Sequence, residues 1–269
     1  MPTYHHDGLT FDYRDEGTGE PVVLLHGFPE DSASWDAVVP LLHATGLRTL
    51  APDQRGYSPG AVPKRRRDYA IRTLVGDVIG LLDATGIERA HVVGHDWGGG
   101  VAWMTALWHP DRVASLVSLA SPHPAALMWS YRHTTQGLRS WYMGTFQLPW
   151  LPERLLARDL ARTLRSSGMK AEIAERYARR FADPASLTGP MNWYRGMPFS
   201  GRMGDPMVRV PTTYVWGRRD GFLGPEAARK TADFVEADYR FVELDATHWL
   251  PENDPDPVAA EIIARVAGG

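Results

Sequence analysis

The sequence predicts an α/β fold: a mostly parallel sheet with helices on both faces, interrupted by a helical insertion. Three observations predict it. Short apolar runs alternate with helical patterns along the first part of the chain, the alternation stops between about His123 and Asp205, and it then returns. At 269 residues, 43% of them hydrophobic, the chain is long enough to bury the core that such a domain needs.

Two β-like segments, Leu9 to Arg14 and Pro21 to Leu25, flank Gly17-Thr18-Gly19 and read as a hairpin. The second is continuously apolar, as in a strand buried on both faces. Arg48 to Ala51 follows as strand, Ile71 to Ala84 as helix, His91 to Val93 as strand, Gly98 to Trp108 as helix and Val113 to Leu119 as strand. Helix Ile71 to Ala84 places Leu74, Val78, Leu81 and Leu82 on one stripe, and Gly86 stops it. Beyond His123 strand patterns vanish, and Pro152 to Arg165, Ala171 to Phe181 and Pro184 to Tyr194 read as helices rich in arginine and aromatics. Thr212 to Trp216 and Arg240 to Leu244 resume the strands, with Pro225 to Phe234 and Pro257 to Val266 as their helices. The expected division is a core formed by 1–122 and 206–269, with 123–205 as an inserted helical cap.

The formal net charge is -3, from 29 Lys and Arg against 32 Asp and Glu, so no long-range field exists to hold a polyanion and nucleic acid is not an expected partner. The basic run Lys64-Arg65-Arg66-Arg67 meets Asp68-Tyr69 at once and reads as a solvated loop. With no cysteine there is no disulfide, thiolate ligand or cysteine nucleophile, which fits a reducing compartment, and a cytoplasmic protein is expected. No basic segment leads into an apolar one at the N-terminus, and nowhere do about 18 apolar residues run together, so neither secretion nor membrane spanning is expected. His5-His6 lacks further ligands at supporting spacing, so no metal is expected. A homodimer stays open.

Chemistry is concentrated in Ala90-His91-Val92-Val93-Gly94-His95-Asp96-Trp97-Gly98-Gly99-Gly100: a buried strand, a sharp turn, then a helix. The glycine spacing is that of a nucleophile elbow, with Asp96 where serine is usual. An aspartate is ionised at neutral pH and attacks saturated carbon, which suits epoxides or alkyl halides, whereas an ester substrate would give an anhydride. Taken alone, Asp96 also fits a plain helix N-cap. The turn His26-Gly27-Phe28-Pro29 follows an apolar strand and aims the N–H of Phe28, with that of Trp97, at an oxygen that becomes negative. Alone it also fits a tight turn with a structural His26. After the last strand, Asp245-Ala246-Thr247-His248-Trp249 supplies His248 as general base, in the order nucleophile, acid, histidine. Its acid is Asp220 in Trp216-Gly217-Arg218-Arg219-Asp220, with Asp245 as the alternative, and Asp220 could instead pair with Arg218 or Arg219.

With these residues assembled, the chain resembles the epoxide hydrolase branch of the α/β-hydrolase superfamily. The resemblance runs through His26-Gly27-Phe28-Pro29, Asp53-Gln54-Arg55-Gly56-Tyr57-Ser58, Gly94-His95-Asp96-Trp97-Gly98-Gly99, Asp220 and His248. It implies an α/β-hydrolase fold, no cofactor, a small apolar epoxide as substrate, and two cap tyrosines that donate to the epoxide oxygen. Met191-Asn192-Trp193-Tyr194-Arg195 looks like the second tyrosine motif and marks Tyr194; Tyr142, in Trp141-Tyr142-Met143-Gly144, looks like the first. Phe28, Trp97, Tyr142 and Tyr194 are then the expected substrate contacts. Many relatives carry glycine before the histidine, where this chain has Thr247.

Two alternatives stay open. A haloalkane or haloacid dehalogenase would share Asp96 and His248, with the Trp97 indole donating to halide, although Phe28 stands where a haloalkane dehalogenase favours asparagine. A non-catalytic homologue would hold a small apolar ligand in the same pocket.

Overall fold

The computed structural model describes residues 1–268. Eight strands, β1 (Thr3–His6), β2 (Leu9–Glu16), β3 (Pro21–Leu25), β4 (Arg48–Pro52), β5 (Ala90–His95), β6 (Val113–Leu119), β7 (Thr212–Gly217) and β8 (Tyr239–Leu244), form one sheet in the order β1-β2-β4-β3-β5-β6-β7-β8. From β4 onward neighbours are parallel, while β1, β2 and β4 pair antiparallel.

The expected hairpin between β2 and β3 does not form. β2 pairs with β4, which lies between it and β3, so Gly17-Thr18-Gly19 is a connection and not a two-strand turn. The hairpin is one step earlier, where β1 and β2 pair across Asp7-Gly8, both at positive φ (51° and 74°). Asp-Gly is the local signal for such a turn.

The apolar runs follow from burial on both faces. Along β3, Val22 and Leu24 join the core on one side of the sheet and Val23 and Leu25 the core on the other; Val93 and Val92 divide likewise on β5. Helices Ile71–Ala84 and Trp97–Trp108 cover one face through Leu74, Val78, Leu81, Val101 and Trp103, while Val39–His43 and Pro255–Ala267 cover the other through Leu42, Val258 and Ile262. Expected strand and helix limits agree to within a few residues.

Between β6 and β7 the described residues hold helices and no extended strand. Pro124–His133, Gln136–Arg139 and Trp141–Thr145 precede the three expected helices, found at Leu151–Ser166, Ala171–Arg180 and Thr188–Gly196. Two buried ties seat the last of these. Trp193 donates to the Arg55 carbonyl (2.7 Å), and Arg195 pairs with Glu153 (2.6 Å) while donating to the Phe146 carbonyl (2.8 Å). Arg55 is itself fixed by a bidentate pair with Asp77 (2.7 and 2.8 Å). Among the described residues no helix is long and apolar enough to cross a membrane.

Chain order reverses between β3 and β5: β4 lies outside β3, and β6 to β8 lie beyond β5. Crevices at the carboxyl ends of strands at such a switch point are where open α/β sheets bind ligands. Phe28 lies in the turn after β3, and Asp96 directly follows β5.

Candidate active site

Asp96 has φ 49° and ψ -118°, a region that non-glycine residues rarely enter, and its side chain makes no helix-capping bond. The N-cap alternative therefore fails, because the turn aims the carboxylate outward. Tight packing enforces the turn: a Cβ on Gly98 would lie 2.2 Å from the Leu25 carbonyl oxygen. Across the cleft, a Cβ on Gly27 would lie 2.5 Å from the Cβ of Asp96, so only glycine lets the β3 turn approach Asp96 this closely.

That approach brings the Phe28 N–H to Asp96 Oδ1 at 2.9 Å. Trp97 opens the Trp97–Trp108 helix, and first-turn N–H groups of a helix have no intrahelical partner. His26 is structural: its Nε2 accepts from the Gln54 N–H (3.2 Å) and its Nδ1 donates to the Gly27 carbonyl (3.0 Å).

Asp96 Oδ2 faces His248 Nε2 at 3.4 Å, and His248 Nδ1 meets Asp220 Oδ2 at 2.8 Å. Asp220 Oδ1 accepts from the N–H groups of Phe222 (2.7 Å) and Leu223 (3.0 Å), so its orientation is determined at both oxygens. Asp245 points away and pairs with Arg219 at 3.1 Å, which removes it as the acid and leaves Asp220 free of the neighbouring arginines. Thr247, the departure before His248, is absent from the residues at positive φ, so a β-branched side chain is tolerated there.

The electrostatics are mutually reinforcing. Burial pushes the Asp96 carboxyl up, but His248, His95 and the Phe28 N–H outweigh it and hold Asp96 below its ordinary value. Burial pushes His248 down, yet Asp220 and Asp96 together hold it well above 6.5. Both shifts favour a carboxylate facing an imidazolium.

A cavity of about 700 Å³ opens above Asp96 and His248, and Phe28, Tyr142, Tyr194 and Phe222 are among its lining residues. Tyr194 packs edge-on against Trp97 (5.0 Å), Phe28 (5.2 Å) and Phe146 (5.0 Å), and Tyr142 lies 6.2 Å from it, ring centre to ring centre. Burial raises both hydroxyls well above their ordinary values, so both keep their protons and remain donors. The ring of Trp97 is not part of the lining; it packs against Tyr194 and Trp193 (5.8 Å), which leaves its backbone N–H as its expected contribution. Of the tryptophans and phenylalanines between β6 and β7, Trp141 and Phe146 are among those that line the cavity, whereas Trp193 is buried packing.

Sequence reasoning passed over the support behind His248. His95, fully buried, donates from Nε2 to the His248 carbonyl (2.8 Å) and meets Glu30 Oε2 through Nδ1 (3.0 Å); Glu30 also accepts from the Gly27 N–H (2.8 Å). Both residues sit inside quoted motifs or directly after one, and an ionisable residue beside an apolar strand end was the available signal.

The alpha/beta hydrolase fold model matches residues 20–255. The chain is 34% identical over 268 residues to epoxide hydrolase 4 of Homo sapiens, covering 93% of this chain and 74% of that protein. It is 33% identical over 297 residues to epoxide hydrolase A of Mycobacterium tuberculosis, covering 93% and 91%. The structure of epoxide hydrolase A from Mycobacterium thermoresistibile superposes with a TM-score of 0.85 at 28% identity, covering 99% of this chain and 98% of that one.

Proposed function

The chain belongs to the alpha/beta hydrolase fold family, in its epoxide hydrolase branch, and from that premise we propose that it opens an epoxide to a vicinal diol through an alkyl ester on Asp96. The observation that carries this is the split environment of one carboxylate that lines the cavity: Oδ1 accepts from the Phe28 N–H, and Oδ2 faces His248.

Asp96 Oδ2 attacks a ring carbon, the carbon–oxygen bond breaks, and the electron pair goes to the ring oxygen, which takes a hydrogen-bonded proton from Tyr142 or Tyr194. Esterification removes the negative charge of Asp96, one of the two carboxylates that keep His248 protonated. The imidazolium can then return a proton to the tyrosinate left by ring opening, and the neutral imidazole acts as base. Oriented by Asp220, it deprotonates a water that adds to the Asp96 ester carbonyl. The negative charge develops on Oδ1, where the N–H groups of Phe28 and Trp97 receive it. Collapse expels the diol alkoxide, which takes the proton back from His248. Asp96 keeps one oxygen from water, and its acid proton passes to His248, which restores the starting state.

Residues 123–205 are the cap in this scheme, carrying both tyrosines over the core, and the apolar lining suits a small apolar epoxide. A halide leaving group would have no use for two tyrosine donors, and the Trp97 ring does not line the cavity.

His248→Gln forms the ester and cannot hydrolyse it. Incubated with a pool of aryl and alkyl epoxides and alkyl halides, it is expected to gain the mass of a whole epoxide, mapped to Asp96. A gain equal to an alkyl halide less its halogen would move the assignment to dehalogenation. A folded variant with no adduct would remove Asp96 as nucleophile for these substrates.

A further inference from the structure

Behind the base lie three buried ionisable side chains, Glu30, His95 and Glu252, each with a ligating atom within 4.8 Å of those of the other two. Their proton count can be read from their partners. His95 Nε2 faces a carbonyl oxygen, which only accepts, so that nitrogen carries hydrogen. The other His95 nitrogen and Glu30 Oε2 hold one proton between them. Two carboxyl oxygens then have no protein partner among the described residues: Oε1 of Glu30 and Oε2 of Glu252. Glu252 Oε1 is satisfied from the other side, by the Tyr177 hydroxyl at 3.0 Å, and Arg176 donates to that hydroxyl oxygen at 3.2 Å.

We propose that Glu252 is a neutral carboxylic acid at neutral pH, that it donates its proton to Glu30, and that it acts as a positioning residue for His248. One proton satisfies both unpartnered oxygens, whereas two buried carboxylates side by side would repel without solvent to screen them. The donors then run in one direction. Arg176 gives to Tyr177, Tyr177 to Glu252 and Glu252 to Glu30; His95 bridges Glu30 to the His248 carbonyl. The chain begins on helix Ala171–Arg180, in the helical segment, and ends on the backbone of the base.

Glu30 and His95 face Glu252 from the core, Tyr177 and Arg176 from the helix; Lys170 reaches its backbone carbonyl (3.5 Å), and His248 lies on its own segment. Burial first, then the charge of Glu30, raise Glu252 well above 4.5, in keeping with the proton count. His95 has both nitrogens engaged and offers no lone pair to a cation.

The test compares Glu252→Gln and Glu252→Leu with the wild type. Glutamine keeps the shape, a donor for Glu30 and an acceptor for Tyr177; leucine keeps neither. Infrared difference spectra at pH 7 should show a protonated-carboxyl stretch in the wild type that Glu252→Gln lacks. Because the folded protein holds this proton more tightly than the unfolded chain, the stability it brings is complete below about pH 4.5 and is lost as pH rises through the folded value. The melting temperature of Glu252→Gln should therefore gain on the wild type as pH rises. With styrene oxide, Glu252→Leu should lower kcat about tenfold with KM little changed, since a misplaced catalytic group loses up to about a hundredfold, and Glu252→Gln should recover most of the loss.

No carboxyl band difference, parallel melting curves against pH, or a glutamine variant as slow as the leucine one would each overturn the proposal. So would stabilisation of the wild type by added calcium or magnesium that EDTA reverses. If the leucine variant does not fold, the spectra and melting curves of the glutamine variant still decide. Only the kcat comparison rests on epoxide turnover, so failure of the function assignment and failure of the shared proton are distinguishable.

Discussion

Tyr194→Phe removes one oxygen and leaves the rest of the site in place. The ring would keep its contacts with Trp97, Phe28 and Phe146 at 5.0 to 5.2 Å, and because Tyr194 is only 3% exposed the change should scarcely alter the cavity's shape. On the proposed mechanism, what disappears is a donor to the ring oxygen as it becomes negative. Loss of one such donor typically slows the step by about 10² to 10³, or about 3 to 4 kcal/mol. Tyr142, whose ring centre is 6.2 Å away, remains to share the charge, so the lower end, about 10²-fold, is expected. The slowing should be confined to formation of the ester, because the second step develops its charge on Asp96 Oδ1, away from the tyrosines. Single-turnover stopped flow with styrene oxide separates the steps, with Trp97 beside the nucleophile as the fluorescent reporter. Tyr142→Phe/Tyr194→Phe should form no measurable ester. The reasoning fails if ester formation in Tyr194→Phe stays within about threefold of wild type, or if both steps slow equally at an unchanged melting temperature. Since burial keeps the hydroxyl protonated, its contribution should not vary across the working pH range.

Asp220→Asn should stop the reaction at the ester. The N–H groups of Phe222 and Leu223 require an oxygen, so the amide NH₂ must turn towards His248 Nδ1 and force the proton onto Nε2, the wrong tautomer for a base; a loss on the order of 10⁴ in the hydrolytic step follows, read as ester accumulating in quenched-flow mass spectra. Asp220 raises the His248 value, so in the variant the acid limb of whatever hydrolysis survives should move to lower pH, and a limb that stayed put or moved higher would contradict the assignment. Glu153→Leu leaves buried Arg195 without its partner and should destabilise the fold by about 3 to 5 kcal/mol in urea unfolding, with Glu153→Leu/Arg195→Leu recovering part of that; no recovery would mean that the packing of helix Leu151–Ser166, and not the charge pair, was lost.

Much of this molecule is legible locally. The nucleophile elbow is written in glycines because backbone atoms of neighbouring turns meet there, and the continuous apolar runs of β3 and β5 follow from burial on both faces. The order Asp96, Asp220, His248 could be read because Asp96 directly follows β5 while Asp220 and His248 lie in the loops after β7 and β8. Pairing was not local. Gly17-Thr18-Gly19 has the composition of a hairpin turn, but β4 takes the place beside β2, a choice made by the whole sheet's burial and not by three residues. The sequence favoured Asp220 and kept Asp245 as the alternative, since both follow strands; the structure brings Asp220 to His248 and turns Asp245 to Arg219. The group behind His248 is the furthest from being readable, because Glu30, His95 and Glu252 come from three distant segments that only the folded core brings together. Sequence by itself determined the backbone turns and which chemistry they could present. Tertiary structure alone decided which charges lie buried side by side, because desolvation and proton sharing depend on every neighbour in space.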